Sequence, residues 1–118
     1  MSTGTGIFIC KRETIPFRFE AINPLPVFTK KHCRSATIKD GELHLCLGNL
    51  YMMFSLEKKL IPSASNHAHK IWDRIMTNDM NVGYDPIGFD ENNSFQFKIY
   101  LSNDEFKYCR FLMSITGE

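Results

Sequence analysis

The chain has 118 residues, 43% of them hydrophobic, and 14 Lys and Arg stand against 13 Asp and Glu. That size suits one domain with a modest core, and the composition argues against global disorder. The near-neutral charge argues against a protein held to its partner mainly by many phosphates, although a local basic patch stays open. The four cysteines are scattered without a CxxC, and the first residues lack a basic stretch followed by a long apolar run. A reduced intracellular protein, cytoplasmic or nuclear, without signal peptide or transmembrane segment, is therefore expected.

In chain order, residues 1–6 are small and polar and read as a flexible tail. A short strand rich in Ile and Phe is expected over residues 7–12. Residues 16–22 alternate Phe17, Phe19 and Ala21 against Arg18 and Glu20, the pattern of a strand with one buried face, with Pro16 at its first position. Asn23, Pro24, Leu25 and Pro26 end it as an extended connector. Lys30, Lys31, His32 and Arg34 form the densest basic cluster. With Phe28 nearby, that cluster is suited either to phosphate or to a solvated strand edge.

Residues 35–58 organise the rest. Asp40-Gly41 and Gly48-Asn49 are turn signals, since tight hairpin turns need positive φ. Closing both turns pairs Lys39 with Glu42, Ile38 with Leu43, Ala36 with Leu45, Leu47 with Leu50, Leu45 with Met52 and Leu43 with Phe54. One face of this three-stranded meander is then entirely apolar. The other carries Thr37, Lys39, Glu42, His44, Cys46, Tyr51, Met53 and Ser55, and a slip of one residue would mix the two sets.

Ala68, Ile71, Trp72, Ile75 and Met76 fall at i, i+3, i+4, i+7 and i+8, which predicts one amphipathic helix over about 66–77. Residues 77–93, dense in Asn, Asp, Gly and Pro, read as a long loop, with Tyr84, Ile87 and Phe89 as anchors to the body or to a partner. Residues 94–101 alternate cleanly and predict a strand. For the C-terminus two readings compete. A capping box at Ser102 and Glu105 would open a helix, whereas a hairpin would pair Ile99 with Cys109, Phe97 with Phe111 and Phe95 with Met113. The hairpin is favoured because the helix would be apolar nearly all round.

This order of elements predicts a single α+β domain, mainly antiparallel β: a small barrel or strongly curved sheet, OB-like, or PH-like if the C-terminus is helical, with one covering helix. No metal-ligand spacing, phosphate-cradling glycine loop or nucleophile signature stands out, so neither an enzyme nor a bound cofactor or metal is expected. The function expected is a noncatalytic protein-binding module, such as an adaptor, inhibitor or small subunit, using a sheet face, sheet edge or the long loop. The alternative is a single-stranded nucleic-acid-binding small barrel. Candidate binding residues are Lys30, Lys31, Arg34, Lys39, His44, Tyr51, Tyr84 and Phe89. Another protein is the expected partner, nucleic acid a second possibility through the basic cluster, and no membrane is expected.

Overall fold

The computed structural model describes residues 3–22 and 33–116. These residues form eight strands, β1 (Thr3–Cys10), β2 (Glu13–Ala21), β3 (Cys33–Lys39), β4 (Glu42–Leu47), β5 (Leu50–Leu56), β6 (Met80–Phe89), β7 (Ser94–Leu101) and β8 (Cys109–Thr116), and one helix, α1 (Asn66–Thr77). The strands close into an antiparallel barrel in the order β1-β2-β5-β4-β3-β6-β7-β8, with β8 returning to β1. The architecture is the expected small, mainly antiparallel barrel with one covering helix. Its first two strands are staves of the barrel, which makes it larger than a five-stranded OB plan.

The meander β3–β4–β5 has the register that its turns imply, from Lys39 opposite Glu42 to Leu43 opposite Phe54. Asp40 and Gly41 take φ of 52° and 76°, as a two-residue hairpin turn of this kind requires. The other five strands form one continuous curved sheet, β6-β7-β8-β1-β2. Two short seams join it to the meander: β2 meets β5 over three residue pairs, and β3 meets β6 over two.

Three expectations need correction. Residues 3–6 are not a tail but the start of β1, paired with both β2 and β8. Gly4 and Gly6 face inward, where a Cβ would lie well inside contact distance of the Phe19 and Phe17 rings, so their lack of a side chain makes room for aromatic neighbours. Residues 80–89 are strand β6, not loop. Its pairing to β7 shifts between Pro86 and Gly88, and the true turn is short, with Asp90 Oδ1 accepting from Asn92 N and Ser94 N, both at 2.9 Å. The C-terminus is the hairpin strand, but its register is two residues off: Phe97 faces Met113 and Ile99 faces Phe111. A 3-10 turn at Asp104–Phe106, capped by Asn103, lengthens the connection and buries Phe106. The shift is even, so the same face stays inward.

The barrel interior is filled. Phe8, Phe19, Phe54, Phe95, Phe97, Phe106 and Phe111 are fully buried with Ile38, Leu43, Leu45 and Leu47, and no polar or charged residue is buried among the described residues. Each such side chain contributes about 1.5–3 kcal/mol. An eight-stranded barrel has an interior about wide enough for its own side chains, so this space is core and not a ligand chamber.

Helix α1 closes one end of the barrel. Its N-cap Ser65 accepts from Ala68 N at 3.1 Å, and the Ser65 hydroxyl and N–H donate to Glu13 Oε1 and Oε2 at 2.6 and 2.9 Å. These two bonds hold the Glu13 carboxyl below the ordinary glutamate value of 4.5. Trp72 descends from the helix among Phe8, Phe17 and Phe111, at ring separations of 5.1, 5.1 and 5.5 Å, and its Nε1–H donates to Glu57 O at 3.0 Å. The tryptophan is thus core, as its place in the apolar stripe implies.

Candidate functional site

With the interior filled, recognition falls to the outer surface. The anticipated residues that fall among the described ones do not gather there into one site. Lys30 and Lys31 lie outside the described residues, as do Phe28, His32 and the connector over 23–26. Arg34 is exposed at the bulge where β3 slips against β4, and Lys39 is exposed at the far end of the same strand. Tyr84 points inward against Phe97, ring centroids 5.4 Å apart, and burial pushes its phenol well above the usual value of 10. It therefore packs and does not present itself to a partner. Phe89 is 53% exposed and leans edge-on against Phe95 at 5.2 Å.

His44 and Tyr51 do meet. They sit diagonally across β4 and β5, on the outer face expected for them, and the Tyr51 hydroxyl is hydrogen-bonded to His44 Nδ1. With that hydroxyl donating, the neutral ring carries its proton on Nε2, which faces Glu42 Oε1 at 3.4 Å without hydrogen-bond geometry. A carboxylate, an imidazole and a phenol thus form an ordered polar row on a convex surface.

The opposite wall has a different character. Register alone assigns its outer rows, because side chains of paired residues stand side by side. The central row is Lys98, Leu112, Ile7 and Pro16; one neighbouring row is Tyr100, Arg110, Ile9 and Thr14, and the other is Gln96, Ser114, Thr5 and Arg18. Ile7 is 39% exposed although its strand partners on either side, Leu112 and Pro16, are also apolar. Thr5, Gly6, Ile7, Pro16, Gln96, Leu112 and Ser114 line a shallow hollow there. Lys98, Arg110 and Arg18 stand around it; Glu20 is the acidic residue on the outer face of these four strands, and Asp85 faces Lys98 from β6.

A second cleft, of about 440 Å³, shares Thr5 and Pro16 with the hollow and is lined at the seam by Phe17, Arg18, Glu57 and Ile61. The reason for this cleft lies in the main chain. Ile22 N donates to Met53 O at 2.9 Å and Arg18 O accepts from Glu57 N at 3.0 Å, so the even-numbered residues of β2 turn their main-chain groups toward β5. Arg18 N–H meets the Glu57 carboxylate at 3.0 Å in place of a strand, and the next such position is Pro16, which has no N–H to leave unpaired. Sequence reading expected Pro16 at a strand start; it sits within β2, on a stretch whose β5 side pairs with no strand among the described residues.

A further surface escaped sequence reading because its residues are about a chain length apart. Lys11 N donates to Tyr108 O, bringing the β1–β2 turn against the turn before β8. Lys11, Arg12, Lys107 and Arg110 are all exposed at this end, with Tyr108 63% exposed and Lys107 Nζ 5.0 Å above its ring.

Among the described residues no three His, Cys, Asp or Glu side chains gather as a metal site would require, and no helix is long and apolar enough to cross a membrane. No family model matches the chain, and neither the curated proteins nor the solved structures contain a match to it.

Proposed function

We propose that this protein is a noncatalytic protein-binding module, and that its binding surface is the outer wall of β8, β1 and β2 in preference to the meander. The observation that carries this reading is the apolar row of exposed Ile7 and Pro16 and half-buried Leu112 at the centre of a sheet, with Lys98, Arg110 and Arg18 around it. Apolar side chains scattered singly on a surface need no explanation, but a row of adjoining ones set among cations has the layout of an interface centre with a charged rim. The complementary partner is an extended acidic segment with an apolar side chain for the hollow. The stretch of β2 at Thr14 and Pro16, whose β5 side pairs with no strand among the described residues, offers it main-chain carbonyls.

Selection from a random peptide display library tests this. Enriched sequences should carry Asp or Glu around a Leu, Ile or Phe, and Ile7→Asp should abolish enrichment while Lys39→Glu leaves it unchanged. Enrichment indifferent to Ile7→Asp would move the site elsewhere.

The cluster of Lys11, Arg12, Lys107 and Arg110, which shares its end of the barrel with exposed Asp104 and Glu105, supports a second reading, binding of single-stranded nucleic acid, with Tyr108 and Tyr100 to stack and the four cations to meet phosphates. Four such contacts imply a log–log salt slope of about −3 for a single strand. A flat salt response of oligonucleotide binding would remove this reading.

A further inference from the structure

Cys10 ends β1 and Cys109 opens β8, so both lie where the first and last strands meet to close the barrel. They are direct cross-strand partners. The Lys11 N–H donates to Tyr108 O at 3.3 Å, which makes Lys11 and Tyr108 a hydrogen-bonded pair and Cys10 with Cys109 the adjoining non-hydrogen-bonded pair. In such pairs the Cα atoms stand about 4.5 Å apart and the side chains are closest. A disulfide spans Cα separations of about 4.4–6.8 Å, and the usual separation of such a pair falls within that range. Both side chains point inward, at 3% and 6% exposure, and the Cys109 thiol donates to Cys10 Sγ across 3.4 Å. The other two thiols are turned to the main chain, Cys33 toward Ser35 O at 3.3 Å and Cys46 toward Gly48 O at 3.9 Å.

We propose that Cys10 and Cys109 form a thiol–disulfide exchange site that closes to an intramolecular disulfide, with a small disulfide of the oxidised-glutathione class as co-reactant. One cysteine, as thiolate, attacks a sulfur of that disulfide, forming a mixed disulfide and releasing one small thiolate. The second cysteine then attacks the protein-bound sulfur, forming the Cys10–Cys109 bond and releasing the other small thiolate. The two cysteine protons end on the two released thiols; the protein loses two electrons and the small disulfide gains them. The Cys109 thiol is pushed up to about 12, first by burial and then by Cys10, and both sulfurs are covered. Exchange accordingly requires opening of the barrel end that α1 covers, at the Lys11–Arg12 turn beside the Ser65–Glu13 bonds and at the turn over residues 102–108, which Arg74 of α1 holds through Glu105. Once formed, the bond joins positions 99 apart in sequence and ties the barrel's closing strands together, which restricts the unfolded chain and resists reopening.

The test uses the full chain carrying Cys33→Ala and Cys46→Ala, folded, with an excess of oxidised glutathione. The expected product has lost the mass of two hydrogens, yields a peptide linking Cys10 to Cys109, and has a raised urea midpoint that falls back on reduction. Recovery of the fully reduced mass, or of a product stopped at one bound glutathione, would overturn the proposal. The same peptide map on the unsubstituted protein serves if the double variant does not fold, and a Cys33–Cys46 link there in place of Cys10–Cys109 would equally overturn it.

Discussion

Gly6 faces Phe17 across β1 and β2, and the Phe17 ring is itself held by Trp72 at 5.1 Å and Phe111 at 5.5 Å. A methyl group at Gly6 therefore has nowhere to push that ring. Gly6→Ala should cost about 1–3 kcal/mol, the usual range for overpacking, read as a lowered urea midpoint. Adding Phe17→Leu should recover part of that loss, and a Gly6→Ala protein as stable as the original would show that the interior is looser than described. Glu13 is the second residue with a single legible task, to accept from Ser65 at the helix cap. Its carboxyl titrates below 4.5 in the folded protein, so its charged form adds stability that is complete above the unfolded value and is lost as pH falls through the folded value. The stability difference between the protein and Glu13→Gln should thus be largest near neutral pH and shrink below about pH 4.5. A difference that stays constant down to pH 3 would mean the charge plays no part.

Among elements, those with a clean period were legible in advance. The meander's register, the helix with Trp72 inward, and the faces of β7 and β8 all follow from alternation or from the 3.6-residue repeat, because burial imposes those periods directly. What sequence reading missed obeys contacts that only the closed barrel supplies. Gly4 and Gly6 carry no hydrophobic signal, yet they are interior positions that owe their identity to Phe19 and Phe17 on the next strand. Strand β6 holds Gly83, Asp85, Pro86 and Gly88, poor strand formers that are tolerated because the pairing to β3 covers only Asn81 and Met80. The C-terminal turn contains a buried Phe106 that no turn rule announces.

At the scale of the whole molecule, the barrel is a five-stranded sheet and a three-stranded meander sewn together by short seams, packed solid with side chains and plugged at one end by a helix. Such a body offers partners its outside. Of the six residues singled out from sequence that fall among the described residues, His44 and Tyr51 form a real polar row, Tyr84 turns inward, and none lies on the wall where apolar and basic residues adjoin. That wall was illegible beforehand because Ile7, Pro16, Lys98, Arg110 and Leu112 come together only through pairing of the first strands with the last. The most direct test is chemical-shift mapping of a selected acidic peptide onto the isotope-labelled protein. The shifts should concentrate on the outer residues of β1, β2 and β8, centred on Ile7 and Leu112. Shifts concentrated instead on His44, Tyr51 and their neighbours in the meander would contradict that placement.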